Sequence, residues 1–232
     1  MAFLERDFKA YEKHRQDDPE YNALRLSVRR KLKAMVDVVQ KDSKPLGVEL
    51  SAQAGLHHPY TFNSYRVREQ RAYLCRGPKE RKKLASFFGE ALGKDAETHY
   101  IQTVLEACLD DQIVEAALRI HPQAWWDGEN LKKKVLADPA RMDELCQLLR
   151  ALPPGFNLKL HDWKKDHWCA QVKATEVKEM LQHYTPGNHW LHVQRQLPKE
   201  DAVAMGAEAT AWVRTSLLAL LPVYRFVLWD PS

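Results

Sequence analysis

Residues 100–121 constrain the fold of this chain more tightly than any other stretch. Ile101, Thr103, Leu105, Ala107 and Leu109 recur at every second position. After Asp110-Asp111 the same spacing resumes with Val114, Ala116, Leu118 and Ile120. Successive side chains of a strand point to opposite faces, so a period of two on both sides of a short polar break predicts an antiparallel hairpin with one apolar face. A two-residue turn at Asp110-Asp111 pairs residue 109 with 112 and sets Glu106 across from Glu115.

The rest of the chain arranges itself around that hairpin. Residues 1–43 read as a helical pair. Phe3, Leu4, Phe8 and Tyr11 mark a first helix over 3–15, Asp17-Asp18-Pro19 interrupts it, and Leu24, Val28, Leu32, Met35, Val36 and Val39 follow at helical spacing. The second helix carries Arg25, Arg29, Arg30, Lys31 and Lys33, either a solvated face or one that meets phosphates. Residues 44–232 alternate short strands and helices. Extended segments are expected at 46–50, 64–76, 157–162, 168–173 and 188–197. Helices are expected after Gly77-Pro78, with Leu84, Phe87, Phe88 and Leu92, near Asp127, at Asp138-Pro139, from Thr175, and as one long C-terminal helix from Pro198 to about Leu221-Pro222. Short turns and alternating faces predict a single α+β domain: an antiparallel sheet of strand-strand-helix units, helices on one face, and the helical pair at one end.

Composition narrows the function classes. Hydrophobic residues at 45% and charged residues at 28% suffice for a packed core, and a net charge of +4 permits an anionic partner without demanding one. With 9 glycines there is no GxGxxG turn, no GxxxxGK[ST] loop and no GxSxG elbow. Cys75, Cys108, Cys146 and Cys169 form no CxxC pair, so reduced buried thiols are expected. His189 and His192 fall on opposite faces of a strand, and no HExxH occurs, so neither a metal nor another cofactor is expected. Charge enters within five residues of Met1, and the longest apolar run, 217–221, is far short of the roughly 20 residues of a membrane span. The expectation is a cytoplasmic protein.

The candidate chemistry lies on the hairpin's other face, where parity puts Gln102, Glu106, Glu115, Arg119 and His121. Opposed carboxylates are unfavourable unless a proton, a cation or an arginine intervenes, and Arg119 is the nearest arginine. Glu106, Glu115 and His121 are therefore the catalytic candidates. Arg66 and Arg68, two apart on an expected strand, point the same way and suit bidentate anion capture, or protect a sheet edge. Trp125 and Trp126 are adjacent in a helix and cannot both face one core, so one is expected beside His121 as a stacking wall. The leading reading is a non-enzymatic or weakly enzymatic binding module for an anionic ligand, nucleic acid included, using Arg66, Arg68, Arg119, His121, Trp125 and Trp126. The alternatives are a metal-assisted hydrolase or nuclease using Glu106 and Glu115, and a protein-interaction domain using the C-terminal helix and Trp229.

Overall fold

A computed structural model describes residues 1–93, 98 and 100–229. Its strands are β1 (Leu50–Ala54), β2 (Gln70–Arg76), β3 (Val104–Leu109), β4 (Ile113–Ile120), β5 (Phe156–Leu160), β6 (His167–Trp168) and β7 (Leu191–Pro198). They form one sheet in the order β1-β2-β3-β4-β7-β5-β6, with every neighbouring pair antiparallel. The helices are α1 (Glu5–Lys9), α2 (Asn22–Ser43), α3 (Pro78–Gly93), α4 (Trp125–Ala137), α5 (Pro139–Arg150), α6 (Ala174–His183), α7 (Lys199–Ala204), α8 (Glu208–Ala219) and α9 (Leu221–Val227). The fold class is the expected α+β with an antiparallel sheet. Among the described residues no helix is long and apolar enough to cross a membrane.

The core forms where the alternation put it. Leu105, Ala107 and Leu109 of β3 and Val114, Ala116, Leu118 and Ile120 of β4 are all fully buried, in one cluster with Val28, Leu32 and Val36 of α2 and Val213 and Leu217 of α8. The opposite face is closed to water only near its centre, while Arg71, Arg119, His121 and His192 are half-buried and Gln196 is exposed. Tyr73, Cys75 and Val104 make a second small apolar cluster there, and Glu106 and Ala117 are both 0% exposed. The four cysteines are free and buried.

Several expected boundaries move, each for a local reason. The first helix stops at Lys9 because the buried Arg25 guanidinium draws the following chain round itself, donating to the Ala10, Arg15 and Asp18 carbonyls. Arg25 is thus an internal cap, not part of a basic surface. Lys44–Leu46 forms a 3₁₀ turn closed by Gly47 at φ 74°, so β1 starts at Leu50 instead of 46. The second member of the third strand pair shrinks to His167–Trp168 and passes into a 3₁₀ turn. The long C-terminal helix is three helices, because Gly206 at φ 56° ends the first and Pro222 enters the first turn of the last. The side chains of Phe88 and Leu92 lie outside the described residues.

One buried ion pair ties these layers together. Arg76, 2% exposed at the end of β2, donates through Nη1 and Nη2 to the Asp127 carboxylate of α4, which is 0% exposed, at 3.0 and 2.5 Å. Thr103 N and Oγ1 at 3.0 and 2.8 Å and Trp229 N at 2.9 Å complete the shell. Burial opposes the Asp127 charge, but Arg76 and these donors outweigh it and hold the pKa below the ordinary aspartate value. A carboxylate with a lowered folded pKa binds fewer protons folded than unfolded near pH 4, so its stabilisation is present above the unfolded pKa and is lost as pH falls through the folded one. Replacing Asp127 by Asn strands the Arg76 cation, with an expected cost of about 3–5 kcal/mol. Denaturant melts between pH 3 and 7 check this: the stability gap between wild type and Asp127→Asn should narrow at the acid end.

Candidate functional site

The polar face of the sheet is built by register. The hairpin turn sits one residue later than expected, at Asp111-Gln112, because Asp110 Oδ1 accepts from Gln112 N at 2.7 Å and Ile113 N at 2.8 Å while Asp110 N donates to the Ile113 carbonyl. Leu109 then pairs with Val114, Cys108 with Glu115 and Glu106 with Ala117. Glu106 and Glu115 are therefore diagonal neighbours, not the directly opposed pair expected from the sequence. A shift of two residues preserves parity, so both still lie on the face with Arg119.

Arg119 fills the space between them. Its Nε lies 2.6 Å from Glu106 Oε1 and its Nη2 lies 2.5 Å from Glu115 Oε1, reaching back along β4 past the small Ala117 side chain. Glu115 also accepts from Gln196 Nε2 of β7 at 2.7 Å. Arg71 of β2 approaches Glu106 Oε2 at 3.7 Å and pairs with Glu69. Burial works against the Arg119 cation, but the Glu106 and Glu115 carboxylates outweigh it and raise its pKa. Cys108 donates to Glu69 Oε2 at 3.3 Å, and burial pushes its thiol up to about 12, which makes it a poor nucleophile.

Arg71, Glu106, Arg119, His121, Trp190 and His192 line a cavity of about 240 Å³ over this cluster. His121 is held neutral near pH 7 by burial and by the Arg71 and Arg119 charges, against a weaker opposing pull from Glu106. His192, directly opposite Arg119 across the β4–β7 ladder, is depressed further, again by burial first and Arg119 next. Its ring stacks on Trp190, with centroids 4.2 Å apart and planes 23° from parallel. The sequence reading missed Arg71, Trp190 and His192 on this face. The parity argument that found Arg119 applies equally to 190 and 192 once β7 is known to pair with β4.

Arg66 and Arg68 lie elsewhere, and not on a strand. β1 ends at Ala54 opposite Ala72 and β3 ends at Leu109 opposite Gln70, so residues 64–69 have no partner strand. Ser64 and Tyr65 turn the chain at φ 52° and 58°, and Val67, 2% exposed, anchors it by donating its N–H to the Gln16 carbonyl at 2.8 Å. Arg66 and Arg68 project on either side of that anchor, both exposed and neither ion-paired with any described residue. They line a groove of about 380 Å³ together with Phe62 and Arg71.

This loop also displays aromatic rings that the sequence reading did not assign. Phe62 is 89% exposed, Tyr65 60% and Tyr60 48%, with the Tyr60 and Phe62 centroids 5.7 Å apart. The interleaving of Tyr60, Phe62 and Tyr65 with Arg66 and Arg68 was the signal available for them. Arg29 of α2 donates to the Gly55 carbonyl at 2.9 Å, which docks the base of the loop on the basic helix. Burial lowers the His57 pKa, and His58, Arg29 and Arg30 lower it further, which marks a positive field on this side. Trp125 is exposed and Trp126 buried, as adjacency requires, but they line a separate cavity of about 530 Å³ with Tyr100 and Pro122. His121 touches its margin through the Tyr100 ring at 6.1 Å.

Compared with known proteins, the chain matches no protein-family model and no curated sequence. The chemistry of the site therefore rests on its own geometry. Arg119 already supplies the positive charge that a cation would bring to Glu106 and Glu115, so the carboxylates are satisfied without one. Calorimetric titration of Mg²⁺ and Mn²⁺ into the wild type is expected to give no saturable heat. A saturable isotherm abolished by Glu115→Gln would mean that the pair opens to a cation after all.

Proposed function

We propose that this protein is a binding module for a polyanion, with single-stranded nucleic acid as the ligand class, and that the loop from Gly55 to Arg71 carries the contact. The observation behind this reading is the contrast between arginines. Arg25, Arg76 and Arg119 are consumed by carbonyls and carboxylates inside the fold. Arg66 and Arg68 are exposed and form no ion pair with any described residue, so they meet a phosphate without first giving up a partner among those residues.

The neighbouring rings favour a nucleic acid over a plain polyanion. Exposed Tyr60, Phe62 and Tyr65 offer π-faces beside the guanidinium groups, and stacking with phosphate contacts is how single strands are held without sequence readout. An 89% exposed phenylalanine is poorly placed for stability and well placed for a ligand. Arg119, His121, Trp125 and Trp126 support this reading less directly, since the first two lie inside the polar cavity and the tryptophans in the next one.

Titration of a labelled single-stranded oligonucleotide, followed by anisotropy at several salt concentrations, tests the proposal. Wild type is expected to bind at low salt and to weaken steeply as salt rises. Arg66→Ala and Arg68→Ala should each weaken binding several-fold and flatten the log K against log salt plot by about 0.7 per lost phosphate contact. Absence of binding to single strands, duplexes and polyphosphate at low salt would sink the reading. A salt-insensitive interaction with a protein would favour the partner-domain alternative instead.

A further inference from the structure

We propose that the cavity lined by Arg71, Glu106, Arg119, His121, Trp190 and His192 receives one unstacked nucleobase of the strand whose phosphates lie along Arg66 and Arg68. This inference rests on the polyanion reading above and extends it to the part of the site that the loop does not explain. The first support is continuity, because Arg71 lines both the loop groove and the cavity. The groove and the cavity are therefore neighbours across one side chain.

Size is the second support. At about 240 Å³ the cavity falls below the ~300–1,000 Å³ of sites for drug-sized ligands, and so suits a single heteroaromatic ring system rather than a chain or a whole nucleotide. The third is the wall. Trp190 and His192 both line the cavity and are stacked face to face, with centroids 4.2 Å apart and planes 23° from parallel, and His161 stacks on Trp190 at 5.5 Å with the same tilt, so the wall is a braced column of rings that holds its shape.

Charge decides which part of the ligand enters. Glu69, Glu106 and Glu115 outnumber Arg71 and Arg119 in this cluster, and burial and the arginines keep both histidines uncharged. A phosphate would meet a balanced or slightly negative site, whereas the loop offers it Arg66 and Arg68, which pair with no described residue. A neutral base meets guanidinium donors together with carboxylate and imidazole acceptors, the mixed edge that Watson–Crick and Hoogsteen groups require. The result is a division of labour: the loop takes phosphates and stacks the bases beside them, and the cavity takes one further base.

The test compares a labelled oligouridylate of about 10 nucleotides with an abasic strand of equal length, which keeps the phosphates and lacks the bases. Wild type should prefer the base-bearing strand by at least about tenfold, the contribution of one stacked base, with the loop rings adding to it. Trp190→Ala should lower that preference by about tenfold, the share of the base in the cavity. Trp190→Phe, which keeps a ring face and guards against a folding artefact, should retain it. Arg66→Ala should weaken both strands alike. Photocrosslinking of a 5-iodouridine strand to wild type should map to Trp190 or His192. Equal affinity for the two strands, a preference unchanged by Trp190→Ala, or crosslinks confined to Tyr60, Phe62 and Tyr65 would overturn the pocket and leave the polyanion reading standing. Failure of both strands to bind at low salt overturns both.

Discussion

The Asp127 carboxylate is the constraint on which the layers of this fold depend. It accepts from the end of β2, the residue before β3 and the chain just beyond α9, and it is itself fixed in the first turn of α4. A fully buried charge of this kind is tolerable only with its whole shell in place, so the four segments have a single joint arrangement. The next residue reinforces it. A Cβ on Gly128 would collide with the Tyr184 hydroxyl, so α4 approaches the end of α6 as closely as only glycine permits. With α4 fixed, the position of the chain leaving β4 through His121 is fixed too, and with it one wall of the polar cavity.

The two faces of the sheet follow from different physics. One face is an ordinary apolar layer in which β-branched and aliphatic residues meet α2 and α8. The other is polar and buried at its centre, where charge must be balanced within the fold. Arg119 pairs with Glu106 and Glu115, Arg71 with Glu69 and at longer range with Glu106, and Gln196 donates to the other Glu115 oxygen. The balance leaves the guanidinium groups rigid and already partnered, which suits positioning a neutral ligand better than capturing an anion.

What the sequence made legible was parity, and what it hid was pairing beyond the nearest neighbour. Alternation about Asp110 identified the hairpin, its buried face and the shared face of Glu106, Glu115 and Arg119. The register slipped by two, because a side-chain oxygen of Asp110 chose where the chain turned. Arg66 and Arg68 were assigned to a strand since their spacing suited one, but a strand needs a partner, and the flanking strands stop at Ala54 and Leu109. Arg25 looked like a surface cation and is a buried cap for carbonyls up to 15 residues away. Trp190 and His192 were out of reach because β7 enters the sheet between β4 and β5, a non-local insertion that no periodicity announces.

This separation of arginines matters more to the proposed chemistry than the small net charge does. A net charge of +4 spread over 35 basic and 31 acidic residues would attract a polyanion weakly and without direction. Internal pairing changes the distribution: each arginine neutralised within the fold leaves the field to those that are not. Arg66 and Arg68 pair with no described residue, because the loop that carries them is held by backbone bonds, by Val67, by Arg29 on the Gly55 carbonyl and by the Arg71–Glu69 pair, none of which uses them. Binding at such a site displaces no acidic partner among the described residues, so to the cost of association and of ordering the strand it adds only the ordering of two exposed side chains, and the neighbouring rings then decide which polyanion gains most from the contact.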